Sequence, residues 1–181
     1  MRILDFFHNL SKLKNVNRTG WIKRNIKNPE SVADHSYSLA VLAIILAPKF
    51  RIDQCRAVKM ALIHDIGESK IGDIITRGVG YDLPNLSSKL AAEKNAVEAV
   101  SQLIDGNEIN ELYREFQEQD TPEAKFVREL DGLDMALQAF EYEQQQQVQV
   151  QDIYDDIQTR IKDPVFIEIF QQMLKIRNEK V

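Results

Sequence analysis

Histidine is scarce in this chain, with three in 181 residues, so the dipeptide His64-Asp65 is the first place to look for chemistry. Read as part of a helix, His64 shares a face with Ala57, Met60 and Ala61, an apolar row one and two turns back. Its imidazole therefore points inward with a carboxylate beside it. An ionised carboxylate is costly to bury without a partner. One solution is a hydrogen-bonded core histidine next to an aspartate exposed at the helix end; the other is a bound cation. Two further residues bear on the choice. His35 falls one turn into a strongly apolar helix, and Asp131 lies in a helical row with Val127 and Met135. Taken singly, His35 reads as a core histidine and Asp131 as a solvated carboxylate. Together with His64 and Asp65 they form a two-nitrogen, two-oxygen ligand set suited to a divalent transition metal.

The elements that must position these residues have helical periodicity nearly throughout. Ile3, Phe6, Phe7, Leu10 and Leu13 form the stripe of a first helix. Ser31-x-x-Asp34 is a capping-box variant opening a helix to about Ala47, which is apolar almost all round from Leu39 onward and is expected at the centre of the domain. A third helix is expected over about 53–66, with Gly67 as its C-terminal stop. Residues 67–86 hold four of the seven glycines and Pro84, and read as a loop with one short turn. Helices follow at about 87–104 and 107–119. Thr121-Pro122 opens another, reaching about Gln144. Six glutamines among residues 144–151 suit either a frayed helix end or a loop. The last two patterns cover about 151–161 and 164–177. The expected fold class is all-α: a single domain over 1–181, a bundle of about seven or eight helices around the metal site.

Composition narrows the partners. The chain carries 28 acidic against 23 basic residues, a net charge of −5, which argues against binding a nucleic-acid polymer through its phosphates. The longest apolar run, Leu39 to Ala47, is about half of the roughly 20 residues a membrane span needs, and no secretory pattern opens the chain. One cysteine, Cys55, excludes an internal disulfide framework and fits a reducing, cytoplasmic setting. Cys55 and His8 have no partners that would make them reactive.

His35, His64-Asp65 and Asp131, in that order, resemble the four-ligand signature of the HD-domain metal-dependent phosphohydrolases. Further blocks are similar to the 5′-deoxynucleotidase branch of that family: Leu13-Lys14-x-Val16-x-Arg18-Thr19-Gly20-Trp21, Pro29-Glu30-Ser31-Val32-Ala33-Asp34-His35-Ser36, His64-Asp65-Ile66-Gly67-Glu68, Gly72-Asp73-Ile74 and Glu123-Ala124-Lys125-Phe126-Val127. The likeness runs from Leu10 to about Tyr142. It implies a helical fold around a divalent cation (Mn²⁺, Co²⁺ or similar), a homodimer, and hydrolysis of (deoxy)nucleoside 5′-monophosphates to nucleoside and phosphate. By the same resemblance His35, His64, Asp65 and Asp131 are the metal ligands and Glu68 is the acid/base residue. Asp73 is a second acidic residue that orients water or ligands, with an additional Mg²⁺ placed between Glu68 and Asp73 in some relatives. Arg18 is the phosphate-binding residue. Its charge is needed, because Asp65, Asp131, Glu68 and Asp73 would together repel a phosphomonoester dianion, and a guanidinium offers a bidentate fork to phosphate oxygens.

One position departs from the pattern. Bacterial members carry a tryptophan directly after the phosphate arginine, associated with rejecting the ribose 2′-hydroxyl. Here Thr19 has that place and Trp21, the sole tryptophan, follows two residues later. Thr19 and Trp21 are thus the residues offered for substrate contact, and Trp21 is equally readable as a core anchor. Competing functions are another HD phosphohydrolase activity, on cyclic nucleotides or nucleoside triphosphates, and a non-catalytic metal or nucleotide sensor. Product identity separates the first from a 5′-nucleotidase, and binding without turnover in the parent protein would mark the second.

Overall fold

The computed structural model describes residues 1–75 and 85–179. Among them, eight helices span ten residues or more: α1 (Ile3–Lys12), α3 (Val32–Leu46), α4 (Gln54–Ile63), α6 (Leu86–Ser101), α7 (Asn107–Glu118), α8 (Pro122–Gln146), α9 (Gln151–Arg160) and α10 (Pro164–Glu179). Two four-residue helices, α2 (Thr19–Ile22) and α5 (Glu68–Ile71), complete an all-α architecture. No described helix is long and apolar enough to cross a membrane.

Capping residues set the starts. Ser31 and Asp34 form a reciprocal capping box on α3, Asp53 accepts from the Arg56 amide at the start of α4, and Thr121 accepts from the Ala124 amide ahead of Pro122 on α8. Each satisfies an amide that the first turn would otherwise leave unpaired.

α3 and α4 pack side by side, and α8 crosses both. Small residues at the crossing, Ala43, Ala57, Ala61 and Ala136, are fully buried and allow close approach, with Leu39, Met60, Leu130 and Leu133 filling the space between. α7, α9 and α10 also pack on α8, and Phe166, Phe170 and Met173 of α10 close this core. A second cluster, Leu13, Val32, Ile66, Val97, Val100 and Tyr113, lies beneath α1 and α6. Ile63 packs against both clusters, so the end of α4, where His64 and Asp65 sit, is the seam between them.

Three sequence expectations are corrected. α3 is not enclosed on all sides: Leu39, Ala43 and Leu46 face the core, while Tyr37 and Ile45 are 69% and 61% exposed. The third helix ends at Ile63, short of Ile66, and turns through residues 64–67 into α5. Gly67 is no left-handed stop, since its φ of −61° is right-handed helical. A Cβ there would meet Val97 Cγ2 at 3.1 Å and the Glu93 carbonyl oxygen at 3.2 Å, so Gly67 lets α6 approach the seam. The residue that needs glycine's conformational freedom is Gly72, with φ +77° at the end of α5. The glutamine patch divides: α8 takes in Gln144–Gln146, Gln147 turns through a left-handed conformation, and α9 begins at Gln151. Pro84 and the rest of segment 76–84 of the expected loop lie outside the described residues.

Candidate metal centre

Three helices converge at the seam. α3 supplies His35 from its second turn, the end of α4 supplies His64 followed by Asp65, and the middle of α8 supplies Asp131. Nδ1 of His64 lies 2.8 Å from the Ala61 carbonyl oxygen, one turn back. A carbonyl only accepts, so Nδ1 carries the hydrogen and the lone pair is on Nε2. Nδ1 of His35 lies 2.7 Å from Asp134 Oδ2. Both Nε2 atoms thus turn inward and face each other at 3.3 Å. Asp131 Oδ1 is 3.3 Å from His35 Nε2, and Asp65 Oδ2 is 3.1 Å from His64 Nε2 and 4.0 Å from His35 Nε2.

The His35 and His64 lone pairs and the Asp131 carboxylate, aimed at one point, repel unless a cation sits among them, while Asp65, paired with Arg18, lies at the edge of this group. Ligand atoms of His35, His64 and Asp131 all lie within 4.8 Å of one another, and 3.3 Å is the spacing of neighbouring ligands about 2.0–2.2 Å from a shared ion. This donor set fits a divalent metal. Without one, a proton takes its place: burial and the Arg18 charge oppose protonation of His35, but hydrogen bonds with Asp131 and Asp134 prevail and raise its pKa to about 10. Burial likewise works against the Asp131 carboxylate, and the His35 hydrogen bond outweighs it, holding Asp131 far below the usual carboxylate range. Asp65 is held low against burial by His64 and Arg18.

A rim of polar residues overlies this centre. The isolated bridge between Asn17 and Ser31, with hydrogen bonds from the Val32 amide to the Val16 carbonyl (2.8 Å) and from the Arg18 amide to the Glu30 carbonyl (3.0 Å), runs residues 16–18 along the start of α3. Arg18 is thereby delivered beside His35. Its Nη1 donates to Asp65 Oδ2 at 3.0 Å and lies 3.8 Å from Asp73 Oδ1. Burial disfavours the guanidinium charge, but Asp65, Asp73, Glu68 and Asp131 outweigh it and keep Arg18 charged. Thr19 is tethered at both ends, its amide donating to the Asp73 carboxylate and its Oγ1 to the Asp73 carbonyl at 2.7 Å. Asp73 therefore anchors the Arg18-Thr19 segment as well as facing the site.

Glu68 opens α5 and is only 2% exposed. Its Oε2 has no hydrogen-bond partner among the described residues. Burial, with the nearby charges of Asp65 and Asp73, pushes its pKa well above the ordinary value, which favours the protonated acid over the carboxylate. Trp21 behaves differently from its rim neighbours. It is 3% exposed, donates its indole N–H to Glu30 Oε1 at 2.7 Å and packs edge-on against Tyr142. The structure places it as a core anchor beneath the Arg18 segment. His8 and Cys55 are exposed.

Residues 10–174 match the HD domain family. This chain belongs to it. Among its relatives, the 5′-deoxynucleotidase HDDC2 of Xenopus laevis is 36% identical over 184 residues, covering 99% of this chain and 89% of that protein. The human 5′-deoxynucleotidase HDDC2 is 34% identical, covering 99% and 88%. A conserved hypothetical protein from Pyrococcus furiosus superposes with a TM-score of 0.74 at 30% identity, over 95% of this chain and 99% of that one.

Two residues at this HD centre were not singled out from sequence. Asp134, buried on α8, stands behind His35; its signal is the three-residue spacing from Asp131, which alone resembles an ordinary pair of helix carboxylates. Arg160, at the end of α9, reaches to 3.9 Å from Asp131 Oδ2 and packs its guanidinium over Gly132. Nothing local in sequence links residue 160 to 131; only the packing of α9 on α8 does.

Proposed function

We propose that this protein is a metal-dependent 5′-nucleotidase that hydrolyses deoxynucleoside 5′-monophosphates to nucleoside and phosphate. The observation that carries the reading is the inward convergence of the His35 and His64 imidazole nitrogens and the Asp131 carboxylate, with Asp65 beside His64, beneath the Arg18 guanidinium and the buried Glu68. The naming of full-length relatives as 5′-deoxynucleotidases supports the same reaction.

His35, His64, Asp65 and Asp131 would hold the ion, which supplies Lewis acidity toward the phosphoryl oxygens and an acidified water. Arg18, with N–H groups beyond the one given to Asp65, offers a fork to the phosphate oxygens and offsets the carboxylates around them. Glu68, buried and with its proton affinity raised, can pass a proton to the departing 5′-oxygen and receive one in return. Asp73, by holding the Thr19 amide and hydroxyl, keeps Arg18 over the centre and Thr19 at the rim where the sugar would lie. Trp21 supports this segment from below, so selection against the ribose 2′-hydroxyl falls to Thr19 and its neighbours.

Mn²⁺ and Co²⁺ are the ions to try at the four-residue centre. Mg²⁺ prefers all-oxygen ligands and suits the Glu68 and Asp73 carboxylates. A reducing, cytoplasmic setting fits one exposed cysteine. A homodimer would cover exposed apolar faces, Tyr37, Ile44 and Ile45 on α3 and Ile3, Leu4 and Phe7 on α1; a monomeric mass by light scattering would remove that part. For the reaction, metal-stripped protein is supplied with each ion in turn and assayed for inorganic phosphate from paired deoxy- and ribonucleoside monophosphates. Phosphate should be released, faster from the deoxy members. No release with any ion would defeat the proposal, and release of pyrophosphate or tripolyphosphate from triphosphates alone would redirect it.

A further inference from the structure

Behind the metal centre, against Nδ1 of His35, lies a carboxylate that the proposed reaction does not use. Asp134 is 5% exposed, one helical turn beyond Asp131 on α8, and its Oδ2 is 2.7 Å from Nδ1 of His35. That distance is in the range of a charge-assisted N–H···O⁻ bond. We infer that Asp134 is a positioning residue for the metal centre: by accepting the Nδ1 hydrogen of His35 it fixes the tautomer and ring plane that turn the Nε2 lone pair toward the ion. The inference rests on reading the centre as a metal site.

A neutral imidazole has one hydrogen and two nitrogens to place it on. With an acceptor held behind Nδ1, the hydrogen stays there and Nε2 is free to ligate. Without it, the hydrogen can move to Nε2, where it would point at the ion, and the ring loses the contact that sets its plane. His64 solves the same problem through the main chain, donating to the Ala61 carbonyl at 2.8 Å, a contact built into the end of α4. His35 sits in the second turn of α3 and takes its acceptor from a side chain on another helix. Asp131 and Asp134, one turn apart on α8, thus address the two nitrogens of a single imidazole. Glu30, His35 and Asp134 also group as a possible cation site, but Glu30 Oε1 already accepts from Trp21 and the 2.7 Å contact is accounted for by a proton.

The test compares wild type, Asp134→Ala and Asp134→Asn, each metal-stripped and titrated calorimetrically with Zn²⁺, with the imidazole N–H resonances followed by NMR in the Zn²⁺-loaded state. Losing such an outer partner commonly weakens metal affinity about 10–100-fold, and that is the loss expected for Asp134→Ala, together with disappearance of the His35 Nδ1–H resonance. Asp134→Asn, whose amide oxygen can accept the same hydrogen, should keep the resonance and recover part of the affinity. It also carries the test should the alanine variant fail to fold. Equal affinity in wild type and Asp134→Ala would overturn the role, as would an asparagine variant no better than alanine, or a second bound ion that Asp134→Ala loses. A wild-type protein that binds no divalent ion would instead remove the metal centre itself, and this role with it.

Discussion

The floor and the rim of the site are built in opposite ways. The floor residues His35, His64 and Asp131 project from α3, the end of α4 and α8, whose crossing is packed with alanine, leucine and methionine. Their positions follow from helix packing, which tolerates little movement because the interior is close-packed. Of the rim residues, Arg18 and Asp73 lie on short connections and Thr19 opens the four-residue α2; all three are held by polar tethers: a bridge beside Ser31, a guanidinium–carboxylate contact and the paired hydrogen bonds between Thr19 and Asp73. Glu68 stands between the two, buried like the floor but carried by a four-residue helix. A rigid floor suits groups that hold an ion, whereas a tethered rim suits groups that exchange a carboxylate partner for a phosphate.

The sharpest way to break this contrast is to remove a floor residue. His64→Ala should abolish both metal binding and phosphate release, as read by calorimetry and a phosphate assay, and leave a folded protein. Retained activity would mean the floor is not the metal site. Glu68→Gln probes the intermediate position. It keeps the shape and burial but cannot exchange a proton, so kcat should fall about 10²–10⁴-fold with metal affinity nearly unchanged. Arg18→Ala addresses the rim alone. Loss of charge-assisted hydrogen bonds worth about 1.5–3 kcal/mol should raise KM for a deoxynucleoside monophosphate by roughly 10–100-fold, with a much smaller effect on ion binding.

The smallest expected effect, per step, is that of pH. In the metal-free protein His35 keeps its proton up to about pH 10, above the ordinary 6.5. That protonation contributes stability fully present below 6.5 and lost as pH rises through about 10. Glu68, also raised, loses stability in the same direction from its ordinary 4.5 upward, while Asp65 and Asp131, both depressed, lose theirs as pH falls below 3.8. A metal must displace the His35 proton, so its apparent affinity should rise about tenfold per pH unit between 6.5 and 10. Melting temperatures of the metal-free protein should fall over the same interval. A flat affinity profile would show that His35 is not a ligand.

The floor was legible in sequence because its information is local and periodic. Ser31-x-x-Asp34 set the start of α3 and hence the depth of His35, and the apolar row behind His64 set its direction. Asp131 followed from the helix opened by Thr121-Pro122. What escaped was settled by contacts between elements. Asp134 and Arg160 gain meaning from α3 and α9 lying against α8. The exposed half of α3 was invisible because an apolar residue reads the same whether it meets the core or a partner. Gly67 has the right residue for a helix stop, but the close approach of α6 dictates it. Trp21 could be placed in the core or at the substrate, and its bond to Glu30 puts it in the core.

The central claim is that one ion held by the floor residues serves phosphate release from deoxynucleoside monophosphates. Its most direct test is to titrate metal-stripped protein with Mn²⁺ or Co²⁺ while following phosphate from a deoxynucleoside monophosphate, in parallel with His64→Ala. Activity should rise with occupancy of the floor site in the wild type and be absent from the variant at every metal concentration. Equal phosphate release by the two proteins would contradict it.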